Sequence, residues 1–207
     1  MIELEDFFED VIGKTIRGTG IADGVLSFLT NVEPDAIAKL KNGEFDELAV
    51  RAIAPALGLD ANCLVELANR VWRPESVELE GLRQSNTVFD PDPEDMMTVN
   101  SYLIWDPQTK EAALFDTGAD ASPALDMAKN LGVDLKTLFI THSHIDHIID
   151  RERVVEAHPE IRVLVNAKEP VAGAERFAVG ETFSIGTLRV STRLTWGHSP
   201  AGTTYVI

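Results

Sequence analysis

Thr141-His142-Ser143-His144-Ile145-Asp146-His147 is the stretch from which both fold and chemistry can be read. Three of the chain's 5 histidines sit here, with a carboxylate among them. The preceding run, Leu135 to Ile140, is short, apolar and partly β-branched, which predicts a buried strand. The following run, Ile148 to Ala157, spaces Ile148, Ile149, Val154 and Val155 among charges and predicts a helix. The histidines therefore stand where a strand gives way to a helix. Residues two apart in extended chain point the same way, so His142 and His144 can converge on one point. Asp146 and His147, at the helix entrance, can face a second point beside it. Neutral imidazoles with a carboxylate suit zinc, and also iron or manganese.

The pattern Thr-His-x-His-x-Asp-His resembles the signature of the metallo-β-lactamase superfamily, which its glyoxalase II, lactonase and persulfide dioxygenase branches share. Phe115-Asp116-Thr117-Gly118 is similar to the family's aspartate-bearing turn. Gly197-His198-Ser199-Pro200-Ala201-Gly202 is similar to its second histidine motif, usually Gly-His-Thr-Pro-Gly. The resemblance covers about residues 77 to 207. It implies His142, His144 and His198 at a first metal, and Asp146 with His147 at a second metal in the same pocket. It implies that Asp116 accepts a hydrogen bond near the histidine loop and holds it in place. The cofactor it implies is one or two zinc ions, with iron or manganese as the alternative.

The activity implied is that of a metal-dependent hydrolase. By that resemblance the metal would supply a hydroxide at neutral pH for attack on a carbonyl carbon, and Asp146 would orient it and accept or pass a proton. The expected small-molecule substrate is a thioester, ester or lactone. Two alternatives stay open: a mononuclear iron dioxygenase of the persulfide type, and a non-catalytic metal-binding or interaction protein.

Composition narrows the setting. With 34 acidic and 18 basic side chains the formal net charge is −16, which disfavours general affinity for nucleic acid or anionic membranes. No apolar run approaches the ~20 residues of a membrane helix, and the acidic start does not resemble a signal peptide. The cytoplasm is the expected location. The one cysteine, Cys63, excludes an internal disulfide and is expected to be a small core residue.

Two domains are expected, 1–76 and 77–207, with the boundary at Arg73-Pro74-Glu75. The first reads as all-α. Leu4, Phe7, Phe8, Val11 and Ile12 recur at helical spacing. Helices are predicted over Ala22–Leu29, Glu33–Lys41, Asp46–Leu57 (weakened by Pro55) and Ala61–Trp72. Their layout is similar to the helix-turn-helix domain of the Cro and phage-repressor type, with Val32 to Leu40 in the place of the recognition helix. Glu33 and Asp35 stand at its front, where readers of DNA need basic or amide side chains. A docking or dimerising module is expected instead of a DNA reader.

In the second domain, strands are predicted at Val77–Glu80, Thr98–Trp105, Glu111–Phe115, Leu135–Ile140 and Ile161–Asn166, with a hairpin over Thr182–Leu194. Asp90 to Asp95 reads as a loop, and a helix runs from Asp120 or Ser122 through Ala128. The fold class expected is α+β, a helix-turn-helix-like domain followed by a truncated αββα metallo-β-lactamase-type sandwich. The sequence stops at Thr204-Tyr205-Val206-Ile207, so the family's bridging aspartate and final histidine have no position in it. From that comes the expectation of an open half-sandwich with one sheet face in water, covered by a second copy or a partner chain. Ile149-Asp150, where many members have glycines, is expected to narrow the pocket or add a charge.

Overall fold

The computed structural model describes residues 6–72, 79–90 and 97–207. Chain contacts divide it into two compact units, Met1–Ser76 and Val77–Ile207. The expected boundary residues, Leu4, Val77 and Glu78, and most of the loop through Asp95 lie outside the described residues.

The first unit holds α1 (Phe8–Thr19), α2 (Asp23–Thr30), α3 (Pro34–Lys41), α4 (Glu47–Ile53), a 3-10 turn (Pro55–Leu57) and α5 (Ala61–Ala68). Pro55, which has no N–H to donate, ends α4 early and begins the tighter turn. Asp46 caps α4 by accepting from the N–H groups of Leu48 and Ala49, and Asp60 does the same for α5 at Asn62 and Cys63. Ile12, Leu26, Ile37, Leu40, Val50 and Ile53 form a core closed to solvent. Two expectations fail here. α5 stops at Ala68, four residues before Trp72: Arg70 turns left-handed (φ 57) and the Asn69 side chain takes up the Val65 carbonyl. Cys63 is exposed and outside the core, because α5 turns Leu64 and Val65 inward. The neighbouring Asp60 charge pushes its thiol up, away from the reactive thiolate.

The second unit is a layered sandwich. Six strands form one sheet in chain order: β1 (Leu82–Asp90), β2 (Met97–Trp105), β3 (Glu111–Phe115), β4 (Asp134–Ile140), β5 (Arg162–Asn166) and β6 (Glu175–Phe177). β1–β2–β3 pair antiparallel, and β3–β4–β5–β6 pair parallel. A second, antiparallel sheet contains β7 (Thr182–Ile185), β8 (Leu188–Leu194) and β9 (Thr203–Val206). The helices are α6 (Ser122–Leu131), α7 (Ile145–Ile148) and α8 (Arg151–Ala157).

Alternation along the parallel strands builds two cores from one sheet. Leu114, Leu138, Ile140, Val163 and Val165 pack on one face with Ala124, Ala128 and Val154 of α6 and α8. Phe115, Phe139, Leu164 and Phe177 fill the other face against Ile185 and Val190 of the second sheet. There Phe139 stacks on Phe115 with ring centres 4.9 Å apart and meets Phe183 edge-on at 5.4 Å. The face expected to lie in water is therefore covered along β3–β5 by the chain's own β7–β9 layer.

Further differences have local causes. Glu80 is a turn residue and no strand; the first strand begins at Leu82. The helix expected over 148–157 is broken at Ile149-Asp150 into α7 and α8. The Asp150 carboxylate accepts from the Ala121 N–H (2.8 Å) and from Arg153 (2.7 Å), so its charge is paired at the start of α6. None of the helices among the described residues is long and apolar enough to cross a membrane.

Candidate metal centre

Three neighbouring parallel strands end on the same edge, the place where open α/β sheets present ligands. Asp116 follows β3, the histidine segment follows β4, and Glu169 stands three residues beyond β5. The Gly197–Gly202 loop between β8 and β9 approaches the same edge from the second sheet. Two bonds fix that approach: the Thr203 N–H donates to the Thr141 carbonyl (3.0 Å), and the Tyr205 hydroxyl donates to the Ile140 carbonyl (2.8 Å).

Asp116 adopts a left-handed backbone (φ 57), unusual for a residue with a side chain. The turn aims its carboxylate at the histidine loop. Oδ1 accepts the Thr141 N–H (2.7 Å); Oδ2 accepts the Thr141 hydroxyl (2.7 Å) and lies 2.8 Å from His147 Nδ1. The next residue, Thr117, donates its N–H to the His147 carbonyl (2.9 Å), and its hydroxyl lies between the carbonyls of Gly118 (2.8 Å) and His147 (3.0 Å). Gly118 is left-handed too (φ 66), and a Cβ there would press on the Thr87 hydroxyl at 2.6 Å.

This network assigns the tautomer of His142. Thr141 has one hydroxyl proton, and the carboxylate takes it. Its oxygen, 2.9 Å from His142 Nδ1, must then accept, so Nδ1 carries hydrogen and Nε2 keeps its lone pair. That lone pair points at His198 Nε2, 3.0 Å away. Burial and the three neighbouring imidazoles hold His142 down to about 3, so it stays neutral, the form that ligates. Donor atoms of His142, His144 and His198 all lie within 4.8 Å of one another. Ligand nitrogens around a tetrahedral zinc stand about 3.3 Å apart, so the donor set fits one divalent ion.

His147 and Asp146 lie beside this triad. Burial opposes a charge on His147, but Asp116 and Asp146, with Asp146 Oδ2 3.3 Å from its Nε2, raise it to about 10. Burial is the largest influence and opposes the Asp146 charge, but the hydrogen bond and charge of His147, its own backbone N–H and His142 together outweigh it and hold the carboxyl below its ordinary value. The five expected ligand residues thus lie together at the strand-end edge of the sheet, with Asp116 bonded to His147. The described geometry gathers three around one point and leaves Asp146 and His147 bonded to each other.

Glu169 carries no motif and was not anticipated. It is fully buried (0% exposed), and its carboxylate accepts four hydrogen bonds. Oε2 takes the N–H (3.0 Å) and hydroxyl (2.6 Å) of Ser143; Oε1 takes the Ser199 hydroxyl (2.8 Å) and the Ala201 N–H (2.7 Å). Burial would raise its titration, but these bonds win and hold it below the usual range. Only its position three residues past a strand hinted at a role.

The family model of the metallo-beta-lactamase superfamily matches residues 95–205, more than half of the chain. The chain belongs to the metallo-beta-lactamase superfamily. Among curated relatives, a hydroxyacylglutathione hydrolase of Synechocystis sp. is 37% identical over 62 residues, covering 30% of this chain and 24% of that protein. The human mitochondrial persulfide dioxygenase ETHE1 is 26% identical over 108 residues, covering 52% and 42%. Among solved structures, ETHE1 from Myxococcus xanthus superposes with a TM-score of 0.50 at 25% identity, over 60% of this chain and 52% of that one. The matched part of this superfamily member spans about a quarter to two-fifths of the curated relatives' length. The superfamily fold implies a divalent metal, and the histidine triad is where this chain can hold it.

Proposed function

We propose that the chain provides the metal centre of a hydrolase that acts on a thioester, ester or lactone. One observation carries the reading: His142, His144 and His198, from loops beside two different sheets, converge with their donor nitrogens all within 4.8 Å of one another. An ion held there lowers the pKa of water and polarises a carbonyl oxygen. The protein's part is positional. Asp116 and Thr141 set the ring of His142 and its tautomer, while Asp146, kept ionised, is the group able to orient a nucleophilic water and take up its proton. The similarity to hydroxyacylglutathione hydrolases supports a thioester as the first substrate to try.

Zinc is the proposed ion, with one held tightly by the triad; Asp146 and His147, proposed as ligands of a second, offer it only two donors, so tight retention of a second ion is not expected. The test combines metal analysis after dialysis with hydrolysis of a simple thioester and a lactone. Retention of a divalent ion is expected, with only weak turnover of a thioester or lactone by this chain itself; a chain that retains no ion would overturn the reading.

A second reading is a mononuclear iron dioxygenase of the persulfide type. It is favoured by the likeness to the two ETHE1 proteins. Iron retention with oxygen consumption on a persulfide, and no thioester hydrolysis, would select it. For the helical unit we propose a docking or dimerising role: the acidic Glu33 and Asp35 front α3, and Lys39 is drawn onto Asp35 at 3.0 Å.

A further inference from the structure

Glu169 belongs to no motif, yet it touches both loops that supply the histidines. Its two oxygens divide the work. Oε2 holds Ser143, the residue between His142 and His144; Oε1 holds Ser199 and Ala201, the first of which follows His198 directly. We propose that Glu169 is a positioning residue, which sets the distance between His198 and the His142–His144 pair so that the site is shaped before an ion arrives. The inference rests on the metal-centre reading above.

A fully buried carboxylate is a costly way to join two loops unless all its lone pairs are met. Here all four partners are uncharged donors: two backbone N–H groups and two hydroxyls. A single carboxylate is the side chain able to accept all four at once. Ser143 and Ser199 are each one residue from a ligand and Ala201 is three from His198, so a shift of the clamp is passed to the ligand rings. The Thr203–Thr141 and Tyr205–Ile140 bonds fix the strands behind the loops, and Glu169 fixes the loop tips.

Arg176 reaches the segment from behind, donating to the backbone carbonyls of Glu169 (2.8 Å) and Ala167 (3.0 Å). The clamp is therefore held at its base as well as at its tip. Partners of this kind around metal ligands are worth roughly 10–100-fold in metal affinity.

Glu169→Gln keeps the size of the side chain and removes half its acceptor capacity. The new amide NH2 can turn a serine hydroxyl round, but it meets one backbone N–H that cannot reverse. Zinc affinity would be measured by chelator competition, and the cobalt(II)-loaded chain by its visible absorption, which reports ligand geometry. Gly186→Ala serves as the control, a destabilising change in the turn between β7 and β8, outside both loops. The expected result is one ion on the parent chain, affinity lower by roughly 10–100-fold and an altered cobalt spectrum for Glu169→Gln, and unchanged affinity for Gly186→Ala.

Equal affinity and spectrum for parent and Glu169→Gln would overturn the positioning role while leaving the metal centre standing. Equal losses in both variants would reduce Glu169 to general stability and overturn it too. A parent chain that binds no ion would overturn the metal-centre reading and this inference with it. Should Glu169→Gln fail to fold, Ser199→Ala, which removes one bond on the His198 side, is judged by the same criteria.

Discussion

Asp116 accepts both the backbone N–H and the hydroxyl of Thr141, each at 2.7 Å, across the ends of two neighbouring parallel strands. The same carboxylate holds His147, so one side chain fixes the first and last residues of the histidine segment. The chemistry of the candidate centre thus depends on a residue that need not touch the ion.

Asp116→Asn tests that dependence. Asparagine tolerates the left-handed backbone, so the turn survives, but its NH2 must face a donor. The Thr141 hydroxyl then has no obligatory acceptor, and the His142 tautomer is no longer fixed. Metal affinity is expected to fall by roughly 10–100-fold. Chelator competition measures it, and affinity equal to the parent's would contradict the tautomer argument.

The histidine cluster and the Asp116 turn were legible because the chemistry is written in contiguous residues. β2, β3, β4 and the β7–β8 hairpin were legible because their apolar positions follow the sheet's period. β1 was not. Its inward residues include Ser85 and Thr87, polar side chains satisfied by Ser101 and by the Ala119 N–H, so no apolar alternation marks it. β6 has only three residues. Glu169 was invisible for another reason: its partners lie 26 to 32 residues away, and nothing local predicts them. The covered sheet face was misjudged because reading the β7–β8 hairpin did not reveal which layer it would join.

Gly186 gives a prediction about folding alone. It is left-handed (φ 55), and a Cβ there would overlap the Thr109 hydroxyl and the Asp106 carboxylate. Gly186→Ala combines backbone strain with a steric clash and is expected to cost roughly 1–3 kcal/mol, more if the turn cannot shift. Urea unfolding of the parent and variant would show it as a lower midpoint. An unchanged midpoint would mean that the turn yields freely.

Asp106, beside that glycine, predicts a pH effect. Its carboxylate accepts from the N–H of Thr187 (2.6 Å), the N–H of Gln108 (2.8 Å) and the hydroxyls of Thr187 and Thr109, joining the β2–β3 turn to the β7–β8 turn. These bonds lower it to about 2. A carboxyl depressed in the folded state stabilises the chain above its unfolded titration near ~4, and that contribution is lost as pH falls through the folded value. Asp106→Asn should therefore be less stable than the parent at pH 7, with the gap narrowing between about pH 4 and pH 2. A gap independent of pH across that window would argue against ionised Asp106 as the link.

His198 decides whether the centre spans both sheets. It is the one triad member outside the histidine segment, brought in by the β8–β9 loop and set 3.0 Å from His142 Nε2. An ion that binds only the folded chain raises its stability by an amount set by the ratio of free ion to dissociation constant, about 2.7 kcal/mol at a hundredfold excess over that constant. Zinc at saturating concentration should accordingly raise the melting temperature of the parent. His198→Ala leaves two imidazoles from the triad, a poor site, so the zinc-induced rise should largely disappear, while the metal-free melting temperature changes little at this loop position. If the variant keeps the full rise, the ion is held within the histidine segment alone, by His142 and His144 with Asp146 or His147, and the second sheet contributes no ligand.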